Sequence, residues 1–191
     1  MRYQDSRAEL GSYRDQIVEL RSKMRAVQAE TEPEPVDDYV LLSLDGSVRL
    51  SALFRGKQDL IVIHNMGASC PYCTLWADGF NGIYDHLTDR AAFVVCTPDA
   101  PDVQCRFATG RGWRFPMVSH KDSRFARDMG YQSESGGSLP GVSVFRRTQD
   151  GVVRVADTGF HPGDDFCALW HMLGLLPDGG AGWQPRFKYD G

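Results

Sequence analysis

The sequence predicts an α/β domain built on a central mixed sheet flanked by helices, with a helical arm in front of it. Three observations carry that prediction. Leu60-Ile61-Val62-Ile63 and Ala91-Ala92-Phe93-Val94-Val95-Cys96 are short runs with the composition of buried central strands. The residues between them have helical character from Pro71 to about Leu87, so strand, helix and strand form a βαβ unit with a parallel pair. Val142-Ser143-Val144-Phe145 and Val152-Val153-Arg154-Val155, joined through Gln149-Asp150-Gly151, add an antiparallel hairpin.

The elements follow in order. From Ser6 to about Glu30 the chain reads as a helix, with Ser6 and Glu9 at capping-box spacing. Leu10, Tyr13, Ile17, Leu20, Met24 and Val27 recur at alternating intervals of three and four, a narrow apolar seam between charged faces. Such a seam pairs either with a second chain, giving a homodimer, or with the protein's own core. Glu32-Pro33-Glu34-Pro35 cannot continue a helix and reads as a linker. The expected organisation is therefore an amphipathic helix over 1–31 and a domain over 32–191. Tyr39 to Leu44 and Ser47 to Leu50, turned at Asp45-Gly46, form an N-terminal β-hairpin, and Ser51 to Phe54 makes one helical turn. Beyond the βαβ unit, Pro101 to Gly110 predicts a helix, Arg114 to Val118 a short strand, and Asp122 to Met129 a helix stopped by Gly130. After the second hairpin, Asp164 to Leu173 predicts a last helix ended by Gly174 and Pro177, and the glycine-rich tail is expected to be irregular.

Composition excludes several classes. A formal net charge of -4 lacks the basic surface that phosphate contacts need, so nucleic acid is not an expected partner. The longest apolar runs are of strand length, so no membrane span is expected. The first residues, Met1-Arg2-Tyr3-Gln4-Asp5-Ser6-Arg7-Ala8-Glu9, carry charges where a signal peptide needs an apolar core, which predicts a cytoplasmic protein.

Five cysteines in a reducing compartment do not form a disulfide framework. One pair, Cys70 and Cys73, has redox spacing. A disulfide exchanger needs a thiolate that attacks and a second thiol close enough to resolve the mixed disulfide. At a helix start both sulfurs lie within one turn, and backbone N–H groups stabilise charge on the first. Pro71 suits the first helical position, where its missing N–H costs nothing. Cys70 is thus the expected nucleophile and Cys73 the resolving thiol. Half a zinc site is the competing reading, but no second Cys-x-x-Cys exists, and Cys96, Cys105 and the histidines form no ligand pattern. Neither a metal nor a cofactor is expected. Cys96, Cys105 and Cys167 read as buried structural cysteines.

The run Ile61 to Cys73, Ile-Val-Ile-His-Asn-Met-Gly-Ala-Ser-Cys-Pro-Tyr-Cys, resembles the strand and active-site turn of thioredoxins, and Cys70-Pro71-Tyr72-Cys73 is the tetrapeptide found in glutaredoxins. Leu139 to Phe145, Asp150 to Val153 and Thr158-Gly159 look like the second half of a thioredoxin fold. Cys73 to Gly82, Gly112 to Ser119, Pro140 to Phe145 and Gly182 to Pro185 are similar to an uncharacterised bacterial thioredoxin-like family of predicted dithiol–disulfide oxidoreductases. That resemblance runs from about Tyr39 onward. The segment from Pro101 to Met129 resembles the insertion of peroxiredoxin-like proteins.

The resemblance implies a thioredoxin-like fold with a peroxiredoxin-like insertion and a thiol–disulfide oxidoreductase acting on a protein or small-molecule disulfide. The electron donor would be glutathione or of the thioredoxin-reductase type. It implies that Pro140 is a cis-proline forming one wall of the substrate groove. His64 stands where thioredoxins keep a buried acid; it is either a proton relay to Cys73 or a core histidine with one structural hydrogen bond. Tyr72 and Trp76 flank the dithiol, and Trp76, Phe80 and Tyr84 share a helical face that either packs on the sheet or touches substrate. A thiol peroxidase is the alternative. Peroxiredoxins, however, place a threonine three residues before the peroxidatic cysteine, where this chain has Gly67. A non-enzymatic redox-sensing or metal-binding module is the third reading.

Overall fold

The computed structural model describes residues 2–189, and its contacts divide the chain into two units, 1–33 and 34–191. The first unit is helix α1 (Tyr3–Glu30). It begins three residues before Ser6, with Arg2 at the N-cap and no side-chain cap. Ser6 is therefore inside the helix and its hydroxyl donates back to the Tyr3 carbonyl, while an Arg2–Asp5 ion pair spans the first turn. α1 buries none of its own residues.

In the second unit the strands are β1 (Glu34–Val36), β2 (Val40–Ser43), β3 (Gly46–Arg49), β4 (Asp59–His64), β5 (Ala92–Thr97), β6 (Met117–Ser119), β7 (Gly141–Arg147) and β8 (Val152–Gly159). They form one sheet in the order β1-β8-β7-β4-β5-β6-β2-β3. β4, β5 and β6 run parallel, and β7 lies antiparallel to β4, so Val62 faces Val94 on one side and Ser143 on the other. The β7–β8 hairpin and the β2–β3 hairpin extend the two sides of this parallel core. Glu34 and Pro35, the second half of the segment that sequence reads as linker, belong instead to the edge strand paired to β8, with Pro35 opposite Val153. An edge tolerates proline because one side of the strand has no ladder to complete.

The helices are α2 (Pro71–Gly82), α3 (Tyr84–Arg90), α4 (Pro101–Arg111), α5 (Phe125–Asp128) and α6 (Ala168–Leu173). The single helix expected over 71–87 breaks at Ile83, whose ψ of 12° interrupts the helix after Gly82. A Cβ at Gly79 or Gly82 would meet nothing within 4 Å, so these glycines do not mark close packing. α6 is shorter than predicted because Asp164 serves as a turn anchor. Its carboxylate accepts the N–H groups of His161 and Phe166 and the indole N–H of Trp76.

Alternation along the strands creates two cores. Leu60, Val62, Val94, Cys96 and Phe145 point to one face, joining Leu41, Phe54, Phe125 and Tyr131. Ile61, Ile63, Phe93, Val95 and Val142 point to the other, where α2 lays Trp76, Ala77 and Phe80 against them. Each such aromatic contributes on the order of 2–3 kcal/mol by burial, which fixes α2 on the sheet and with it the start of the helix.

Candidate active site

β4 ends at His64 and α2 starts at Pro71, so six residues must turn the chain from the sheet onto its helical face. Asn65 sets that turn. It is buried; its backbone N–H donates to the Cys96 carbonyl at 2.9 Å. Its side-chain oxygen accepts the Gly67 N–H at 2.8 Å and its amide donates to the Cys73 carbonyl at 3.4 Å. Gly67 takes φ +101°, and a Cβ there would lie 2.7 Å from a carboxylate oxygen of Asp99. That same oxygen accepts the Ala68 N–H at 2.7 Å. Asp99 follows β5, and its own N–H donates to the Thr97 hydroxyl at 3.0 Å. Two successive strand ends thus clamp one turn.

The turn delivers Cys70 to the N-cap of α2 in an extended conformation, with Pro71 at the first helical position. The Cys73 backbone N–H donates to the Cys70 sulfur at 3.2 Å, while the Thr74 N–H and hydroxyl both donate to the Cys70 carbonyl. Cys70 is half-buried; Cys73 is 2% exposed and its sulfur accepts the Met66 N–H at 3.3 Å. The two thiols are separated electrostatically. A hydrogen bond from the Cys73 thiol, aided by the N–H groups of Cys73 and Tyr72, outweighs burial and brings the Cys70 pKa down to about 6. That hydrogen bond, together with burial, raises the Cys73 pKa far above the usual thiol range, against the opposing Met66 N–H. The result is one thiolate and one held proton on adjacent sulfurs.

Trp76, one turn on from Cys73, is buried and donates to Asp164 at 3.2 Å, and its ring packs at 5.4 Å from Phe160. It faces the core. Tyr72 is half-buried, its ring centroid 6.3 Å from that of Trp170 and 6.5 Å from that of Trp76.

Pro140 departs from its expected geometry, and His64 takes the second of its two readings, that of a core histidine with one hydrogen bond. As an even-numbered residue of β4, His64 points to the sheet face opposite the one α2 covers, among Phe125 and Tyr131. Its Nε2 is 2.9 Å from the Ser143 hydroxyl and its Nδ1 has no hydrogen-bond partner. Burial, with the charges of His120 and Arg154, lowers its pKa to about 3. That is the arrangement of a core histidine held neutral, and its hydrogen bond runs to Ser143 rather than to Cys73. The Leu139–Pro140 bond is trans, correcting the cis expectation; among the described residues no peptide bond is cis. Residues 131–139 close as a loop through the Gln132–Ser138 bridge and the Leu139 N–H to the Tyr131 carbonyl. It feeds β7 by the extended trans path that X–Pro bonds favour by about 0.5–1 kcal/mol.

Cys96 and Cys167 are buried as expected, and burial raises both thiols. Cys105 is only half-buried: it sits on α4 and lines a cleft of about 520 Å³ with Ser43, Val48 and Trp113. Among the described residues no group of three or more His, Cys, Asp or Glu side chains could hold a metal ion, and no helix is long and apolar enough to cross a membrane. Sequence reasoning missed Asn65, Met66 and Asp99, which act through backbone groups and leave no motif of their own.

The fold is shared with peroxiredoxins of known structure. The chain is similar to peroxidoxin BcpB from Mycobacterium tuberculosis at 24% identity, covering 66% of this chain and 84% of that one with a TM-score of 0.55. It is similar to a cysteine-to-serine variant of PrxQ from Xylella fastidiosa at 16% identity, covering 70% and 89%, TM-score 0.58. It is also similar to reduced Prx3 from Vibrio vulnificus in complex with hydrogen peroxide, at 16% identity, covering 70% and 88%, TM-score 0.54. These likenesses establish the thioredoxin-type fold. No curated protein matches the sequence. The family model described as "Bacterial protein of unknown function (DUF899)" matches residues 6–186.

Proposed function

We propose that this chain, which belongs to the bacterial family of unknown function DUF899, is a thiol–disulfide oxidoreductase with Cys70 as nucleophile and Cys73 as resolving thiol. The observation that carries the reading is the split between the two sulfurs: Cys70, half-exposed at a helix start with its pKa near 6, and Cys73, buried with its proton held. The Cys70 thiolate attacks one sulfur of a substrate disulfide, that S–S bond breaks, and the departing thiolate takes a proton. Cys73 then attacks the Cys70 sulfur of the mixed disulfide. Its proton goes to the second substrate thiolate as that group leaves, and Cys70 and Cys73 end as a disulfide. Two thiol equivalents, from two glutathione molecules or from a dithiol of the thioredoxin-reductase type, return the pair to the dithiol and are themselves oxidised to a disulfide. A reducing compartment such as the cytoplasm suits this cycle.

A thiol peroxidase is the second reading, favoured by the insertion of α4, β6 and α5 and by the likeness of the fold to peroxiredoxins. Position 67 weighs against it: the Asp99 carboxylate occupies the space into which a threonine side chain would project. Turnover with a disulfide and with hydrogen peroxide, supplied with the same thiol reductant, separates the two. The oxidoreductase reading predicts disulfide turnover abolished by Cys70→Ser and peroxide turnover slower by orders of magnitude. Unchanged disulfide turnover in Cys70→Ser, or faster peroxide turnover, contradicts it.

A further inference from the structure

We infer that α1 is one half of a parallel, in-register two-stranded coiled coil formed with a second copy of this chain. Within the 28 residues of α1, the seam Leu10, Tyr13, Ile17, Leu20, Met24 and Val27 is exposed throughout, from 45% for Ile17 to 69% for Met24. Most helical stability in proteins comes from packing an apolar face, and α1 buries none of its own residues. The alternating three-and-four spacing assigns Leu10, Ile17 and Met24 to heptad position a, and Tyr13, Leu20 and Val27 to position d. The seam is only two positions wide, which matches another helix rather than the broader stripe that packs on a globular core.

Charge selects both the partner and its direction. The flanking e positions hold Arg7, Arg14, Arg21 and Gln28, and the g positions hold Glu9, Gln16, Lys23 and Glu30. In a parallel pair each g residue meets the e residue of the following heptad, so Glu9 faces Arg14 of the partner subunit, twice by symmetry. The one like-charged pairing, Arg2 with Arg7 of the partner subunit, falls in the first turn, where Arg2 is already ion-paired to Asp5 at 2.9 Å. In an antiparallel pair that keeps a against d, e meets e and g meets g. Arg14 then faces Arg21 of the partner subunit and Glu9 faces Glu30 of the partner subunit, each twice, with no opposite-charge pair in return. The seam provides the affinity and the flanks choose the parallel direction.

Sedimentation equilibrium of the full chain tests the inference. The wild type should be a dimer, and Ile17→Asp should sediment as a monomer with the circular dichroism of the domain retained. Glu9→Arg should weaken dimerisation about tenfold through two lost pairs, and Glu9→Arg combined with Arg14→Glu should restore it. A wild-type monomer, a dimer indifferent to Ile17→Asp, or a dimer tightened by Glu9→Arg would each overturn the inference, the last because it is the antiparallel result.

Discussion

Cys73 gives its backbone N–H to the sulfur of Cys70 at 3.2 Å, and its side chain is the larger influence that lowers the pKa of that thiol. Local helix geometry and the second cysteine act together on one atom. The Cys70 thiol should therefore titrate near pH 6, read as the inflection in the rate of iodoacetamide alkylation against pH. Cys73→Ala removes the thiol donor and keeps the N–H, so the inflection should move up toward the ordinary thiol value. An inflection that stays near 6 in Cys73→Ala would assign the effect to the helix start alone.

Gly67 lies against the Asp99 carboxylate in the turn that leads to Cys70. Gly67→Ala places a Cβ 2.7 Å from the carboxylate and imposes a side chain on φ +101°. The expected loss of stability is about 2–3 kcal/mol, read from urea unfolding. Asp99→Ala in the same chain should recover only part of it, because the backbone strain at position 67 remains. Full recovery would mean that the contact alone, and not φ, makes glycine necessary.

His64 makes stability depend on acid. Its folded-state pKa is near 3 and its unfolded value near 6.5, so the unfolded chain binds the extra proton between those values. Stability contributed by the neutral ring is complete above about pH 6.5 and is lost as the pH falls toward 3. The loss is on the order of 5 kcal/mol at the low end. His64→Phe, which keeps the stack on Tyr131, should flatten the acid limb of the stability curve measured by denaturant titration. An unchanged limb would place its origin elsewhere, for example in Asp59 between Arg90 and Arg146, whose carboxyl their hydrogen bonds hold low.

Much of this molecule is legible in its sequence because its strands are dense in β-branched residues and its dithiol is a local motif. The βαβ unit, both hairpins and the Pro71 helix start are visible in that way. Non-local pairing hides the rest. β1 is a strand only because β8 lies beside it, and nothing in Glu34-Pro35-Val36 announces that partner. Gly141 is required for a reason far along the chain: a Cβ there would lie 2.1 Å from the Tyr131 ring, which stacks on His64 at 3.8 Å. His64 sits at a position that sequence reads equally well as relay or core; the parity of β4 sends it to the face α2 does not cover. Asn65 and Asp99 are hidden because backbone groups, not side chains, are their targets.

The most direct measurement is trapping. Cys73→Ser lacks the resolving sulfur, so incubation with a disulfide such as oxidised glutathione should leave a mixed disulfide that peptide mass spectrometry places on Cys70. The same treatment of Cys70→Ser should leave the protein without an adduct on Cys73. An adduct carried mainly by Cys73 or Cys105, with Cys70 unmodified, would contradict the assignment of Cys70 as the attacking thiolate.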